Sequence, residues 1–138
     1  MHNNTIDQLQ VRLRAAREAA FEVHGALLEV TRRDYERDYG RVGDAATLLK
    51  LVTTEPAFAW LRPLTAAIAD ADALLASPDF DPDHLRVLVQ AITQLLKADS
   101  EGAPFQRRYY AAIQASPDVA VTHCQANRRM RVTEVSWT

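Results

Sequence analysis

The first thirty residues carry an apolar stripe whose members alternate in steps of three and four. The stripe consists of Ile6, Leu9, Leu13, Ala16, Ala20, Val23, Leu27 and Val30. This is the a and d spacing of a helix that packs lengthwise against other helices. The pattern therefore predicts a long N-terminal helix that begins near Thr5, as its N-cap, and ends near Tyr39, where Gly40 is a stop signal.

A second set of apolar positions on the same helix starts at Phe21 and continues with Leu28 and Tyr35. Because these positions lie beside the first stripe on a helical wheel, we expect the second half of the helix to be covered on more sides than the first. Gly25 lies outside the covered face. A glycine inside a helix costs about 1 kcal/mol relative to alanine, so we expect Gly25 to mark a bend or a close backbone approach.

Residues that cap or break helices then divide the chain into shorter elements. Asp44 is a good N-cap for a second helix, and Pro63 removes a helical hydrogen bond, so a third segment should kink or restart there. The apolar face of the second helix consists of Ala45, Leu48, Leu49 and Val52. The face that we assign to the core in the third consists of Leu64, Ile68, Asp72 and Leu75.

Three more helices are predicted in the second half of the chain. The fourth begins at Pro82, the fifth follows Pro104, and the sixth opens at Pro117 and runs to about Arg129. The main core positions of the fourth helix are Leu85, Leu88, Ile92 and Leu95. Residues 130–138 are rich in β-branched side chains that alternate with polar ones, so we expect an extended or disordered tail.

Together these elements predict an all-α protein, a bundle of four main helices with two shorter ones. A chain of 138 residues suits one domain, because a core of this size buries enough apolar surface to fold alone. Hydrophobic residues make up 48 % and charged residues 25 %, which is too apolar for a disordered chain. We therefore predict a single helical domain over residues 1–138.

The sequence also indicates the cellular compartment in which the protein is expected. Residues 1–7 have neither the basic nor the apolar region of a signal peptide, and no apolar run reaches the length of a membrane span. The single cysteine, Cys124, fits a reducing compartment. We therefore expect a cytoplasmic protein that does not bind membranes.

The net charge of −2 is unevenly distributed along the chain. Residues 55–101 contain eight acidic and three basic residues, whereas residues 102–138 contain two acidic and five basic ones. Such polarity orients a partner or a second copy in some proteins. Solvated helix faces are the simpler interpretation.

Metal and cofactor sites find little support in these residues. A carboxylate-bridged metal site in a bundle needs inward-facing Glu-x-x-His pairs, and none occurs. Residues 79–83 open like a calcium loop, but His84 and Gln90 stand where that loop needs glycine and glutamate. The four glycines form no phosphate-binding loop. We predict no metal and no cofactor.

Cys124 follows His123 directly, which suggests a thiol nucleophile beside a base. Adjacent residues on a helix point about 100° apart, so the imidazole does not naturally reach the sulfur. A lone cysteine in a helix is more often a small core residue. We predict no catalytic residue and no enzymatic activity.

The arginines of the last third of the chain are candidates for contacts with nucleic acid. They are Arg107, Arg108, Arg128, Arg129 and Arg131. The fourth and fifth helices, joined near Gly102, even have the proportions of a helix-turn-helix. Because the whole chain is slightly acidic and the presumed recognition helix carries few polar groups, nucleic-acid binding is the least favoured hypothesis.

The most distinctive segment is residues 54–72, TEPAFAWLRPLTAAIADAD. Asp72 lies in line with apolar residues, and a buried acid needs a partner, for which Arg107 or Arg108 is the natural candidate. This arrangement is either an ion pair that fixes helix register or a small polar pocket. The ligand-binding residues of such a pocket would be Trp60, Arg62, Asp72, Arg107, Arg108 and Tyr109.

This segment, together with Phe105, Arg108-Tyr109 and residues 116–123, resembles small all-helical bacterial proteins that have a PAFAWLRPL-type core. The resemblance covers residues 45 to about 123. It implies a helical fold, but no activity, substrate or catalytic residue.

Three functions remain open from the sequence. The first is a non-catalytic scaffold or protein-interaction module that forms a homodimer through its first helix, because about 35 helical residues would overhang a compact domain of this length. The second is a small-ligand sensor with a pocket near Trp60, Arg62 and Asp72. The third is nucleic-acid binding through the C-terminal arginines.

Overall fold

The computed structural model describes residues 2–135, and the side chains of residues 5–134. This part of the chain is helical, with no strand, as the sequence predicts. The helices are α1 (His2–Tyr39), α2 (Ala45–Thr54), α3 (Arg62–Ala76), α4 (Pro82–Leu95), α5 (Pro104–Ala115) and α6 (Pro117–Val135). A 3₁₀ segment, Pro56–Leu61, leads directly into α3.

The long helix α1 lies at the centre of the fold and contacts α3, α4, α5, α6 and the 3₁₀ segment. The buried positions of the predicted stripe are Leu9, Leu13, Ala16, Ala20, Val23 and Leu27. Ion pairs from Arg12 to Glu134 and from Glu22 to Arg129 show that α6 runs antiparallel to α1. Because one helix carries the seam that the others cover, a single core extends through the domain.

The inward face of α3 differs from the one that the sequence predicts. Its buried residues are Leu64, Ala67, Ala71 and Leu74, whereas Asp72 is exposed and Ile68 and Leu75 are only partly buried. The stripe is rotated by one residue, about 100° at position 72. The two alanines let α3 lie close to α1, which also presents small residues at Ala16, Ala19 and Ala20. The inward assignment of Asp72 is therefore wrong.

The predicted start and stop signals hold at several helix ends. The Asp44 carboxylate accepts a hydrogen bond from the Thr47 backbone N–H at 2.7 Å. Hydrogen bonding by the Thr47 side chain, and next by this backbone N–H, lowers the pKa of Asp44. Gly40 ends α1 with a φ of 93°, a left-handed conformation that favours glycine. Pro63 stands in the first turn of α3, so the chain restarts there.

Both ends of the chain are more helical than the sequence indicates. Helix α1 begins at His2, so Thr5 lies inside the helix and is not its N-cap. Helix α6 continues to Val135, which contradicts an extended tail from residue 130, while residues 136–138 lie outside the described part. The weak helix propensity of the β-branched residues is overcome by packing, since Met130 is buried and Glu134 pairs with Arg12.

Two predicted apolar surfaces are not buried. Phe21 remains 55 % exposed. At this position the second apolar stripe of α1 is therefore not covered, contrary to the sequence prediction. Helix α2 contacts chiefly the 3₁₀ segment and buries none of its residues, and Leu49 is 66 % exposed. Gly25 is exposed, and a Cβ placed there meets nothing within 4 Å, so no close approach occurs within the chain.

Candidate functional site

A groove opens at the C-terminal end of α1, between that helix, the start of the 3₁₀ segment and α5. Its volume is about 410 Å³. On α1 the lining residues are Val30, Thr31, Asp34, Tyr35, Asp38 and Tyr39. The opposite side is lined by Ala57, Trp60, Arg108, Ala111, Ala112 and Ala115. Small alanines on the α5 side leave its helical backbone approachable.

Two rows of aromatic rings flank this groove. In the first, Tyr35 lies 4.8 Å from Tyr39 and 5.7 Å from Phe58, measured between ring centroids. In the second, Phe105 lies 5.6 Å from Trp60 and 5.9 Å from Tyr109. Offset and tilted ring contacts at these distances are favourable, so the rows hold the groove walls in place. Tyr39, at the open end of the first row, is 71 % exposed.

Arg108 is held at the mouth of the groove by Trp60. Its guanidinium carbon lies 4.7 Å from the indole ring, within the range of a cation–π contact. No ion pair of Arg108 is found among the described residues. A guanidinium that is stacked on its face keeps the donors at its edge available for a carboxylate.

The wall formed by α1 has the opposite charge. Asp34 and Asp38 line it, and Asp34 also forms an exposed ion pair with Arg37 at 2.8 Å. The groove therefore presents two carboxylates on one side and a guanidinium on the other, with aromatic rings between them.

The indole nitrogen of Trp60 is buried and has no hydrogen-bond partner among the described residues. An unpaired buried donor costs about 1–3 kcal/mol, because it has lost its bond to water. The ring itself stacks on Phe105 and supports Arg108.

Tyr109 is fully buried and joins α5 to α6. Its hydroxyl lies 2.5 Å from Nδ1 of His123, and the Asn127 side-chain amide donates to the carbonyl oxygen of His123 at 2.9 Å. Burial raises the pKa of Tyr109, and the nearby Cys124 adds to this effect. The neutral hydroxyl therefore donates to Nδ1, and the remaining ring proton of His123 is on Nε2. Burial lowers the pKa of His123, which favours this neutral state.

The predicted ligand-binding residues do not form one site. Trp60 and Arg108 are in contact. Tyr109 is connected to Trp60 through Phe105, whose ring contacts both. Arg62 and Arg107 are exposed and do not line the groove. Asp72 pairs with Arg17 of α1, with 2.8 Å between the Arg17 Nε and the carboxylate, instead of with Arg107 or Arg108. The predicted partner is wrong because the rotated face of α3 points Asp72 away from α5.

The α1 side of the groove is not predicted from the sequence. Tyr35 is predicted only as part of the second apolar stripe, and Asp34, Asp38 and Tyr39 are not among the predicted site residues. Asp34 and Asp38 are four residues apart, as are Tyr35 and Tyr39, so the members of each pair lie on one side of the helix, which is a usable signal. Which helix they would face depends on the path of the chain through residues 40–56, and sequence spacing does not specify that path.

Cys124 is exposed on α6, which contradicts the expected core position. The ring of His123 bonds Tyr109, and the sulfur has no part in that contact. Within the described residues, no three histidine, cysteine, aspartate or glutamate side chains converge as metal ligands would. None of the described helices is long and apolar enough to cross a bilayer.

Compared with known proteins, the chain matches no protein-family model, no curated protein and no solved structure. Its resemblance to small helical bacterial proteins stays a prediction.

Proposed function

We propose that this protein is a non-catalytic interaction module that binds a short segment of a partner protein in the groove between α1 and α5. The observation that carries the proposal is Arg108, which is stacked on Trp60 and has no carboxylate partner among the described residues. The segment supplies an acidic side chain to this guanidinium, since a bidentate carboxylate is its best-fitting partner.

The other wall determines the second feature of the partner. Asp34 and Asp38 repel an entirely acidic peptide and attract a basic side chain. Tyr39 stands beside them with most of its ring exposed, and tyrosine is among the residues that contribute most to interfaces. The segment that fits therefore carries an acidic residue toward α5 and a basic residue toward α1.

The shape of the site supports a segment more than an enclosed small molecule. The groove is open along its length, and its α5 wall is lined by alanines, so that a partner backbone approaches closely. Its aromatic rings and charged groups are suited to recognition. Its one lining threonine, Thr31, already donates its hydroxyl proton to the carbonyl oxygen of Leu27 at 2.7 Å.

We propose the cytoplasm as the location of this module, on the basis of its single cysteine. We also propose that it acts as a homodimer built on α1. An interaction module with two copies of the groove binds a bivalent partner more tightly than a single copy does.

The test is a display library of short random peptides, selected on the full wild-type chain and then compared on two variants. Arg108→Gln removes the charge at the groove and keeps a polar side chain. Arg107→Gln removes the adjacent charge, which is exposed outside the groove, and is the matched control.

We expect peptides selected by the wild type to contain an acidic and a basic residue. Their affinity should fall at least about tenfold on Arg108→Gln and stay unchanged on Arg107→Gln. Equal binding to both variants, or a selection that enriches no sequence, overturns the proposal.

A further inference from the structure

One side of α1 is largely free of the other helices along most of its length. Its residues follow one another at intervals of three or four: Val11, Arg14, Glu18, Phe21, Gly25, Leu28, Arg32, Glu36 and Tyr39. The positions from Val11 to Gly25 are exposed, as is Tyr39, whereas Leu28, Arg32 and Glu36 are partly exposed. We call this set the outer seam of α1. Its spacing is that of a helix that packs lengthwise against another.

Three large apolar side chains of the outer seam remain in contact with solvent. Val11 is 47 %, Phe21 is 55 % and Tyr39 is 71 % exposed. The seam thus has apolar groups near its two ends and near its middle. Charged residues lie between these groups.

Gly25 lies at the middle of the seam, and a Cβ placed there meets nothing within 4 Å. It is the one glycine within the described helices, since Gly40, Gly43 and Gly102 lie between them. A glycine on an exposed helix face lets a second helix backbone approach closely, and nothing in the chain itself makes that approach.

We propose that two copies of this chain pair through their outer seams, antiparallel, with Gly25 facing Gly25 at the twofold axis. This inference specifies the interface of the homodimer proposed above. A twofold interface brings the same surface of each copy together, so each contact occurs twice. Under this register, residue 18 lies opposite residue 32 and residue 14 opposite residue 36.

Charge complementarity favours this register. Glu18 of one copy meets Arg32 of the second copy, and Arg14 meets Glu36 of the second copy. Arg32 and Glu36 are ion-paired with each other in their own chain at 2.8 Å, so the second copy extends this pair into a larger charge cluster. Val11 meets Tyr39 of the second copy, which pairs two of the exposed apolar groups. In the described residues Arg14 has no ion-pair partner of its own. Opposite charges facing each other specify partner and orientation in helix pairs.

The flanks of the seam do not oppose this pairing. The same register brings Arg17 toward Arg33 of the second copy, but each already has a carboxylate in its own chain. Arg17 is held by Asp72 at 2.8 Å and Arg33 by Glu29 at 3.2 Å. Their charges are therefore largely compensated where the two copies meet.

The size of the seam sets the expected strength. From Val11 to Tyr39 it spans roughly 42 Å at 1.5 Å per residue. A helix about 10 Å wide then contributes on the order of 400 Å² per copy, below the 800 Å² typical of stable complexes. We therefore expect a dimer that forms and dissociates with concentration.

The first experiment exchanges charges between two versions of the full chain. One version carries Arg14→Glu and Glu18→Arg, and the other carries Arg32→Glu and Glu36→Arg, so neither changes the net charge. Each version alone brings like charges together at every pair, whereas a mixture of the two restores every pair. Circular dichroism and thermal melting check that both versions fold.

Sedimentation equilibrium over a wide concentration range measures the result. The wild type should rise from the monomer mass of 15.4 kDa toward twice that value. Each exchanged version alone should self-associate at least about tenfold more weakly, and the mixture should regain the wild-type behaviour. A wild type that stays monomeric, or a mixture that does not recover, overturns the proposal.

The second experiment tests the position of the axis. Gly25→Glu places two carboxylates at the crossing point and should abolish association without unfolding the monomer. Gly43→Glu is the matched control, because Gly43 is also exposed with open space around it but lies in the loop before α2. Equal effects of the two changes contradict the register. Tyr39 belongs to both the seam and the groove, so peptide binding is also measured on Gly25→Glu, which leaves every groove-lining residue unchanged. Peptide binding by this variant separates a failure of the dimer from a failure of the groove.

Discussion

At the scale of single residues, the ion pair between Asp72 and Arg17 ties α3 to α1 at the surface of the molecule. The Asp72 side chain is 51 % exposed and that of Arg17 is 27 % exposed. Arg17 also lies 4.9 Å from the ring of Phe21, which holds the guanidinium over an exposed aromatic face. Water competes for both charges, so the pair contributes little compared with a buried one.

We expect Asp72→Ala to lower the free energy of unfolding by about 0–1 kcal/mol, far less than the loss of a buried charge pair. Urea denaturation of the single and double variants in a cycle with Arg17 should give a coupling within the same range. The matching cycles with Arg107 and Arg108 should give none. A loss above about 3 kcal/mol would show that the pair is buried in solution.

An alanine substitution should have opposite effects on the free energy of unfolding at Gly25 and at Gly40. Gly25 lies in a helix with open space around it, so Gly25→Ala should raise the free energy of unfolding by about 0.5–1 kcal/mol. Gly40 has a φ of 93°, so Gly40→Ala should lower it by about 1 kcal/mol, because a side chain is strained there. Thermal melting in dilute solution, where the monomer dominates, measures both. If both substitutions changed the free energy of unfolding in the same direction, the helical conformation of Gly25 or the left-handed conformation of Gly40 would be contradicted.

At the scale of elements, helix register decides which side chains form the core. In α4 the predicted register is correct at Leu85, Leu88 and Ile92, which are all buried. In α3 it is off by one residue. The difference lies in the residues themselves, because most large apolar side chains of α4 lie on one face. Helix α3 offers two candidate faces, one with Ile68 and Leu75 and one with Ala67 and Ala71.

The α4 register gives a direct prediction. Leu88→Ala and Ile92→Ala should each lower the free energy of unfolding by about 2–5 kcal/mol, through lost burial and the cavity that remains. Val87→Ala is the matched control on the same helix, since Val87 is 61 % exposed, and should change it by less than about 0.5 kcal/mol. If chemical denaturation showed Val87→Ala to be as costly as the other two, the register would be refuted.

In the molecule as a whole, two histidines join different helices through side-chain hydrogen bonds. His24 of α1 bonds Thr65 of α3, with 3.0 Å between Nε2 and Oγ1. The Thr65 hydroxyl donates its own proton to the carbonyl oxygen of Leu61, so the Nε2–H of His24 is the donor. His123 joins α6 to α5 through Tyr109. Burial lowers the pKa of both histidines, because charging either one in the folded state costs its solvation.

These lowered pKa values predict acid sensitivity. The unfolded chain takes up protons near the ordinary histidine pKa of 6.5, whereas the folded chain takes them up only at lower pH. The contribution of the two groups to stability is therefore fully present above pH 6.5 and is lost as the pH falls through their folded pKa values.

The measurement is the free energy of unfolding as a function of pH. The double variant His24→Gln/His123→Gln should show a shallower decline below pH 6.5 than the wild type. His84→Gln, at an exposed position of α4, is the control and should retain the wild-type profile. Identical profiles for all three proteins would show that the bridging histidines do not titrate in this range.

Local sequence signals account for the helices and for most of their ends. The 3-and-4 stripe of α1, the Asp44 cap, the Gly40 stop and the prolines at 63, 104 and 117 all act through local backbone geometry. Hydrogen bonds and φ angles within a few residues are encoded by those residues. The partners of the first helix follow less directly from such local signals.

The groove, the partner of Asp72 and the exposure of Phe21 follow from tertiary packing and from no local signal. Each depends on which of several similar helix faces meets which neighbour, and that choice is made by packing of the whole core. The alanines on α1 and α3 allow a close approach that turns Asp72 outward to Arg17. The path of residues 40–56 then brings Trp60 and Arg108 to the end of α1. Spacing along one helix carries no information about the rotation of another, so no local pattern contains these contacts.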